Sequence, residues 1–197
     1  MIDFNVILFD NFETLDAFGP AEIIGKLVDD YKPEYYSLKG GLVTSAQNIR
    51  VQTIKADQMK KDYVLLVPGG MGTRSLVNDT DFIQMLRQTA TNATWVLSVC
   101  TGSGLLAKAG LLKGKRATSN KRAFDWAVSN DPAVDWVKKA RWVQDGNIYT
   151  SSGVSAGMDM MLGFIADRHG TEVAEEKANA IEYIWNKDHA KDPFCNC

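Results

Sequence analysis

The chain has 197 residues, of which 45% are hydrophobic and 23% charged, and its formal net charge is −2. This length and composition are typical of a globular protein that buries a sizeable core. They offer no basic surface for nucleic acid, and no apolar run in the sequence is long enough to cross a membrane. No signal peptide is recognised at the N-terminus, so we expect a cytoplasmic protein.

Strand-like and helix-like segments alternate along the chain, which predicts a flavodoxin-like three-layer α/β/α sandwich with a mostly parallel sheet. Residues 1–187 are expected to form one domain, followed by a short polar tail at 188–197. Pro20 is expected in the first turn of the first helix. The predicted strands are at 4–9, 34–38, 42–46, 49–54, 62–67, 95–99, 115–118, 134–137, 140–143 and 147–151. The predicted helices are at 21–28, 82–91, 105–109 and 123–128, followed by a long helix that the stretch 151–157 opens and that runs through 165, and one from about 172 to 185.

The stretch from Trp95 to Leu106 is the most informative one. A short apolar strand ends at Val99, Cys100 follows at once, and a run of small residues leads into a helix. A strand that turns sharply into a helix at a nucleophilic side chain is a nucleophile elbow. The helix N-terminus would favour the thiolate of Cys100, the reactive form. The alternative is that Cys100 is a buried cysteine that serves as a small hydrophobic side chain.

Ligands of such folds bind outside the carboxyl ends of the strands, so side chains that follow predicted strands are expected to converge there. In this chain these residues are Asp16, Gly70, Cys100 and Ser152. The backbone N–H of Thr101, together with that of Gly70 or Met71, is predicted to form an oxyanion hole beside Cys100.

Asp16 is the best candidate for an acid, because it is a lone carboxylate in an apolar stretch. A carboxyl in a closed pocket beside a thiol has a raised pKa and can donate a proton. The alternative role for Asp16 is to cap the helix at Pro20, and Glu22 is a weaker rival because it falls within an amphipathic helix. Neither His169 nor His189 follows a predicted strand, so a Cys-His triad is poorly supported.

The three cysteines do not form a pattern that is typical of a metal site or a disulfide framework. Cys195 and Cys197 form a single C-x-C pair in the tail, without the second pair that a zinc site needs. The sequence therefore predicts no metal site.

Four motifs make the chain resemble the ThiJ/PfpI (DJ-one) family of the class I glutamine amidotransferase-like superfamily. The resemblance covers about residues 4 to 185, and its motifs are at 14–20, 67–72, 99–102 and 152–159. Leu-Asp-x-x-Gly-Pro and Cys-Thr-Gly look like the isonitrile hydratase subgroup. That subgroup is itself similar to the ligand-sensing domains of certain AraC-type regulators.

The resemblance implies that Cys100 is the nucleophile and Asp16 its hydrogen-bonded acid, with Gly70 and Thr101 at the oxyanion site. It also implies a small-molecule substrate and a homodimer with the pocket near the subunit interface. No metal or organic cofactor is implied.

Four residues depart from the family pattern. Protease-like members have histidine where this chain has Thr101, which argues against peptidase activity. Many relatives have a histidine where this chain has Asn120, and an amide cannot shuttle a proton at neutral pH. Ser151 and Ser152 stand where the nearest relatives look glycine-rich. We expect Asn120 and Ser152 to join Gly70 and Met71 in binding the substrate.

The first hypothesis for the function is hydration of an isonitrile or a similar small electrophile through a thioimidate on Cys100, with Asp16 as the acid. A second is glyoxalase-like or amidase-like thiol chemistry on the same scaffold. A third is a non-catalytic domain that senses a ligand or an oxidant through Cys100.

Overall fold

The computed structural model describes residues 1–195, and its elements alternate as the sequence predicts. The strands are β1 (Ile2–Ile7), β2 (Tyr31–Ser37), β3 (Gly41–Thr44), β4 (Arg50–Lys55), β5 (Tyr63–Val67), β6 (Ala93–Ser98), β7 (Arg116–Ala117), β8 (Asp135–Trp136), β9 (Trp142–Asp145) and β10 (Ile148–Ser151). The helices are α1 (Thr14–Ile24), α2 (Thr73–Leu76), α3 (Thr80–Asn92), α4 (Gly102–Lys108), α5 (Phe124–Asn130), α6 (Ala156–His169) and α7 (Thr171–Ala180).

The described residues form a main sheet of eight strands in the order β3-β4-β2-β1-β5-β6-β10-β9. The six inner strands pair in parallel, and β3 and β9 add antiparallel pairs at the two edges. All five residues of β5 are buried, as an inner strand with both faces covered requires. The prediction of a mostly parallel sheet is confirmed.

The helices form two packed groups that cover the sheet. In one group α1 and α7 pack on α6, and in the other α3 and α5 pack on α4. Helix α6 is largely buried, and its interior side chains join the same core as the inner strands. The predicted three-layer α/β/α arrangement is therefore confirmed.

The first helix begins earlier than the sequence suggests. It starts at Thr14, not at Pro20, and Pro20 lies in its interior. The early start depends on distant contacts, because the N–H of Glu13 donates to the carbonyl of Gly69 and Oγ of Thr14 donates to Gln47. Local residue preferences do not contain this information, and the consequence is that Asp16 lies inside the first turn of α1.

The last helix ends at Ala180, whereas the sequence predicted an end near residue 185. After it, the chain turns at Glu182, whose φ is 52°. The turn lets Tyr183 Oη donate to Oδ1 of Asp159 at 3.0 Å and the Trp185 indole donate to the carbonyl of Asp159 at 3.1 Å. The N–H of Asn186 also donates to Oδ1 at 2.9 Å. A buried carboxylate needs partners such as Tyr183 and Asn186, and this demand outweighs the helical preference of the segment.

Residues 188–195 of the predicted tail lie against the rest of the protein. Asp192 is buried, with its carboxylate 3.6 Å from Arg141 and 3.8 Å from Lys121. The carbonyl of His189 accepts the N–H of Arg141 at 2.8 Å. These contacts fix the path of the chain up to Phe194. Residues 196 and 197 of the predicted tail lie outside the described residues.

Candidate active site

Cys100 lies between β6 and α4 in a left-handed conformation, with φ at 57°. This conformation costs a non-glycine residue about 1–2 kcal/mol, so other contacts must hold it. Its N–H donates to the carbonyl of Ser152 at 3.1 Å, and its own carbonyl accepts Oγ of Ser119 at 2.9 Å and Oγ of Ser103 at 3.1 Å. The backbone therefore has the strained geometry of a nucleophile elbow.

Two glycines allow the elbow to pack directly against its neighbours. A Cβ atom on Gly102 would lie 2.3 Å from the carbonyl oxygen of Val67, so α4 begins in direct contact with the end of β5. A Cβ atom on Gly69 would lie 2.6 Å from the backbone nitrogen of Thr101 and 2.9 Å from Oδ2 of Asp16. A side chain at Gly69 would push the acid and the elbow apart, and one at Gly102 would push α4 away from the end of β5.

Asp16 is fully buried beside this elbow. Its Oδ2 accepts the N–H of Gly69 at 2.9 Å, whereas Oδ1 has no hydrogen-bond partner by distance and angle among the described residues. The carboxyl lies close enough to the Cys100 thiol for each group to influence the pKa of the other. The carboxyl thus contacts the loop after β5 and the thiol, and it does not cap a helix at Pro20.

Burial raises the pKa of Asp16 well above its usual range, and the nearby charge of Glu13 raises it further. The N–H of Gly69 and the thiol of Cys100 lower the pKa but do not offset the burial. The carboxyl is thus biased towards its protonated form. Because Oδ2 is already an acceptor, Oδ1 is the atom left to carry the proton.

Burial also raises the pKa of the Cys100 thiol, and negative charge on Asp16 raises it further. The backbone N–H of Thr101, the side chain of Asn120 and the side chain of Thr101 act in the opposite direction. The sequence-based argument considered only the helix N-terminus, whereas desolvation of the sulfur outweighs it in the resting protein. Protonation of Asp16 removes the repulsion between the two groups and leaves the donors to stabilise a thiolate.

Thr101 connects the elbow to the loop after β5. Its backbone N–H points to the sulfur of Cys100, and its Oγ accepts the N–H of Gly70 at 3.0 Å. The N–H of Gly70, one of the two predicted partners in an oxyanion hole, is therefore already engaged in the resting structure. Met71, the other predicted partner, lies in the same loop and is 68% exposed.

Asn120 stands where many members of the family have a histidine. Its Oδ1 accepts the N–H groups of Arg122 at 2.9 Å and Ala123 at 3.1 Å, so it caps the short 3-10 turn Lys121–Ala123. This capping leaves the amide nitrogen to donate to the sulfur of Cys100. A Cβ on Gly153 would lie 2.0 Å from that nitrogen, so no side chain fits between.

Ser152 is buried and touches the elbow through its carbonyl. A cavity of about 390 Å³ opens beside it and beside Asn120. Leu15, Val154 and Phe194 give the cavity apolar walls. The sequence analysis gave no role to Leu15, although a motif contains it, and did not point to Phe194, because only the fold brings the two residues to the cavity.

Two absences apply to the part of the chain that the structure describes. It contains no group of three or more His, Cys, Asp or Glu side chains placed to hold a metal ion. None of its helices is long and apolar enough to cross a membrane. Among the described residues, neither histidine is paired with Cys100. His169 forms a 3.0 Å hydrogen bond with the Tyr31 hydroxyl, and the ring of His189 packs on Trp142.

Comparison with known proteins shows which family the chain is similar to. A model described as the DJ-1/PfpI family matches residues 4–167. Isonitrile hydratase from Pseudomonas putida is 33% identical over 182 residues, which is 90% of this chain and 76% of the hydratase. The HTH-type transcriptional regulator CdhR from Pseudomonas aeruginosa is 31% identical over 177 residues. This covers 87% of the chain but only 52% of CdhR, so the chain spans about half the length of that regulator.

A solved structure agrees with both the fold and the sequence match. A ThiJ/PfpI family protein from Pseudomonas syringae superposes with a TM-score of 0.84 and 29% identity, over 99% of this chain and 78% of that one. The family match at residues 4–167 includes Asp16, the elbow at Cys100 and the capping Asn120. The chain therefore belongs to the DJ-1/PfpI family.

Proposed function

We propose that this chain is a cysteine-dependent hydratase that converts an isonitrile, or a similar small electrophile, to an N-substituted formamide. The buried pairing of the Cys100 thiol with the Asp16 carboxyl carries the proposal. Because Gly69 occupies Oδ2, Oδ1 of Asp16 is left to exchange one proton with the sulfur. The isonitrile hydratase relative supports the choice of substrate class.

The first half of the reaction needs one nucleophile and one proton carrier. Cys100 attacks the terminal carbon of the isonitrile, and a carbon–sulfur bond forms. The protonated Asp16 carboxyl donates its proton to the same carbon, and the proton that leaves the thiol restores the carboxyl, which gives a thioimidate, R–N=CH–S–Cys. No histidine is required, since the same carboxyl donates one proton and takes up another.

The second half of the reaction hydrolyses this intermediate. Water then adds across the carbon–nitrogen double bond. Its oxygen bonds to the carbon, and Asp16 gives its proton to the nitrogen as it takes one from the water. The carbon–sulfur bond then breaks, the thiol regains its proton, and the formamide R–NH–CHO leaves. The sum is the isonitrile plus one water, so Cys100 and Asp16 return to their starting states.

Thr101 and Asn120 would stabilise the negative charge that passes through the sulfur in both halves. The backbone N–H of Thr101 and the amide of Asn120 already lower the pKa of the thiol. Their positions are fixed before substrate binds, by the 3.0 Å bond from Gly70 to Thr101 and by the cap that Asn120 provides. Donors held in advance stabilise developing charge without reorganisation.

The cavity beside the elbow suits a substrate with an apolar substituent. Its volume of about 390 Å³ and its walls of Leu15, Val154 and Phe194 fit an aliphatic or aromatic group. The reacting isonitrile carbon would face the polar end at Asn120 and Ser152.

Replacing Phe194 by alanine is expected to raise KM for an aryl isonitrile about fivefold, the effect of losing about 1 kcal/mol of apolar contact, with kcat unchanged. Steady-state kinetics with an aryl and a methyl isonitrile would test this, because the methyl compound does not reach the ring. Ile184→Ala is the matched control, since Ile184 is 92% exposed and does not line the cavity. An equal change in KM for both substrates would contradict the assignment.

The proposed function is tested by mixing an aryl isonitrile with the wild-type protein and following its ultraviolet absorbance. We expect loss of substrate with formation of the formamide, identified by chromatography, and no such loss with Cys100→Ala. Absence of turnover, with the thiol of Cys100 shown to be intact and open to alkylation, would overturn the proposal.

Ligand sensing is the second candidate function, and the match to CdhR favours it. In that case the same cavity would bind a small molecule without transforming it. Binding of the aryl isonitrile without formamide formation would support sensing over catalysis. Oxidant sensing through Cys100 is less favoured, because burial raises the pKa of the thiol and the thiolate is the form that oxidises readily.

A further inference from the structure

Arg74 is a charged residue close to the elbow that neither the motifs nor the proposed reaction uses. It lies in the short helix α2, directly after the loop that carries Gly69 and Gly70. Its guanidinium stacks over the ring of Trp126, with Cζ 3.6 Å from the ring centroid. The side chain is only partly exposed, so this arrangement is built into the protein.

Trp126 in turn packs closely on the elbow helix. A Cβ atom on Gly104 of α4 would lie 2.6 Å from the indole ring, so the ring lies directly against the helix backbone. The planar guanidinium of arginine can stack on such a ring, whereas the ammonium of lysine cannot. The stack fixes the position of the Arg74 charge relative to α4 and therefore to Cys100.

A chain of hydrogen bonds leads from Arg74 to the elbow. Its Nη1 donates to Oγ of Thr73 at 3.0 Å, and Thr73 is fully buried. The hydroxyl of Thr73 lies 2.8 Å from the carbonyl of Gly70 and 3.2 Å from Oγ of Thr101. Arg74 is thus two hydrogen bonds away from Thr101, whose backbone N–H donates to the sulfur of Cys100.

Electrostatics act along the same line. Burial lowers the pKa of Arg74, and negative charge on Cys100 raises it, which shows that the two groups attract when the sulfur is charged. In the resting protein the thiol is neutral, so the attraction acts on the sulfur only once the thiolate forms. It then opposes the cost of placing a charge in a buried site.

We propose that Arg74 is a positioning residue that holds the Thr73–Thr101 hydrogen-bond chain in place and stabilises the negative charge of Cys100 as the thiolate forms. The proposal deepens the function argued above and rests on Cys100 being its nucleophile. It assigns the Arg74–Trp126 stack a role in activating the thiol, beyond its role in packing.

The test measures the reactivity of Cys100 without using the proposed substrate. The rate of alkylation by iodoacetamide is followed from pH 6 to pH 10, with peptide mapping to count the adduct at Cys100 alone. We expect Arg74→Met to slow alkylation about three- to tenfold at pH 7 and to move the profile to higher pH, as loss of a nearby cation requires. Arg74→Lys keeps the charge but loses the stack, so its alkylation rate is expected to lie between those of the wild type and Arg74→Met.

Two further variants separate activation from folding. Thr73→Val interrupts the hydrogen-bond chain at constant size and is expected to slow alkylation in the same direction. Arg50→Met removes an exposed arginine at the start of strand β4 and is expected to leave the profile unchanged. If Arg74→Met does not fold, as judged by near-ultraviolet circular dichroism, Arg74→Lys and Thr73→Val decide the question.

The outcomes distinguish this inference from the proposed function. A folded Arg74→Met protein with the wild-type alkylation profile would overturn the role of Arg74, whether or not isonitriles are hydrated. A shifted profile in a protein that does not hydrate isonitriles would support the role of Arg74 and reject the substrate. A kcat for isonitrile hydration that falls in Arg74→Met with KM unchanged would support both the role of Arg74 and the proposed function.

Discussion

Replacing Cys100 by serine is expected to lower kcat for isonitrile hydration on the order of 10³-fold or more. A hydroxyl is a much weaker nucleophile than a thiol at neutral pH, and this site contains no histidine that could activate it. Serine has nearly the same size, so the elbow and its contacts to Ser103, Ser119 and Ser152 are retained. Steady-state rates of formamide production give the measurement.

The control for this substitution is the structure of the variant itself. Cys100→Ser and Cys100→Ala should both keep the near-ultraviolet circular dichroism spectrum and the melting temperature within a few degrees, because the side chain is small and 7% exposed. A serine variant that retains turnover within tenfold of the wild type would show that Cys100 is not the nucleophile.

Replacing Asp16 by asparagine is expected to lower kcat/KM about 10²- to 10⁴-fold, the usual contribution of a general acid or base. The amide can keep the 2.9 Å bond from Gly69 by accepting through its oxygen, so the geometry of the pocket is preserved. It cannot carry a proton between the thiol and the substrate carbon. The measurement is the rate of formamide formation at fixed pH.

The pH dependence provides a second test of Asp16. Burial raises its pKa, so the protonated form that donates is lost as pH rises through the raised value. The wild-type kcat/KM should therefore fall on the alkaline side, and this limb belongs to the coupled pair of Asp16 and Cys100. In Asp16→Asn the limb that depends on the carboxyl should be absent.

Stability should change with pH in the same direction. The folded protein holds the Asp16 proton more tightly than the unfolded chain does. The stabilisation from this proton is therefore complete below the unfolded pKa and is lost as pH rises through the folded pKa. Urea unfolding at several pH values should show a flatter dependence for Asp16→Asn than for the wild type.

Glu22→Gln is the matched control for Asp16→Asn, since it removes a carboxylate from the same helix. Glu22 is exposed and pairs with Lys26 at 2.8 Å on the surface of α1. We expect its loss to change neither kcat/KM nor the pH profile, because exposed ion pairs contribute little. Equal effects of the two substitutions would argue against a specific role for Asp16.

The sequence alone was sufficient for the fold class and for the elbow. The apolar runs that become β5 and β6, and the run of small residues after Cys100, are local patterns, and local patterns determine which element a segment forms. The family motifs also placed Asp16 and Thr101 near Cys100, and the structure brings these three residues together.

The ends of helices were less predictable from the sequence where distant contacts determine them. The N-terminus of α1 depends on hydrogen bonds to Gly69 and Gln47, and the end of α7 depends on the demand of the buried Asp159 for partners. Such contacts outweigh the helix propensity of the local segment, and a short stretch of sequence carries no information about them.

The sequence thus determined which residues could carry the chemistry, because nucleophile, acid and glycine turns are set by residue type and short-range spacing. Only the tertiary structure decided how these residues are buried and paired. Burial, and not the helix N-terminus, dominates the pKa of Cys100, and the bond from Gly69 to Asp16 joins residues that are 53 positions apart. The four-residue helix that carries Arg74 is too short for any periodicity, so only the fold shows that its charge lies beside the elbow.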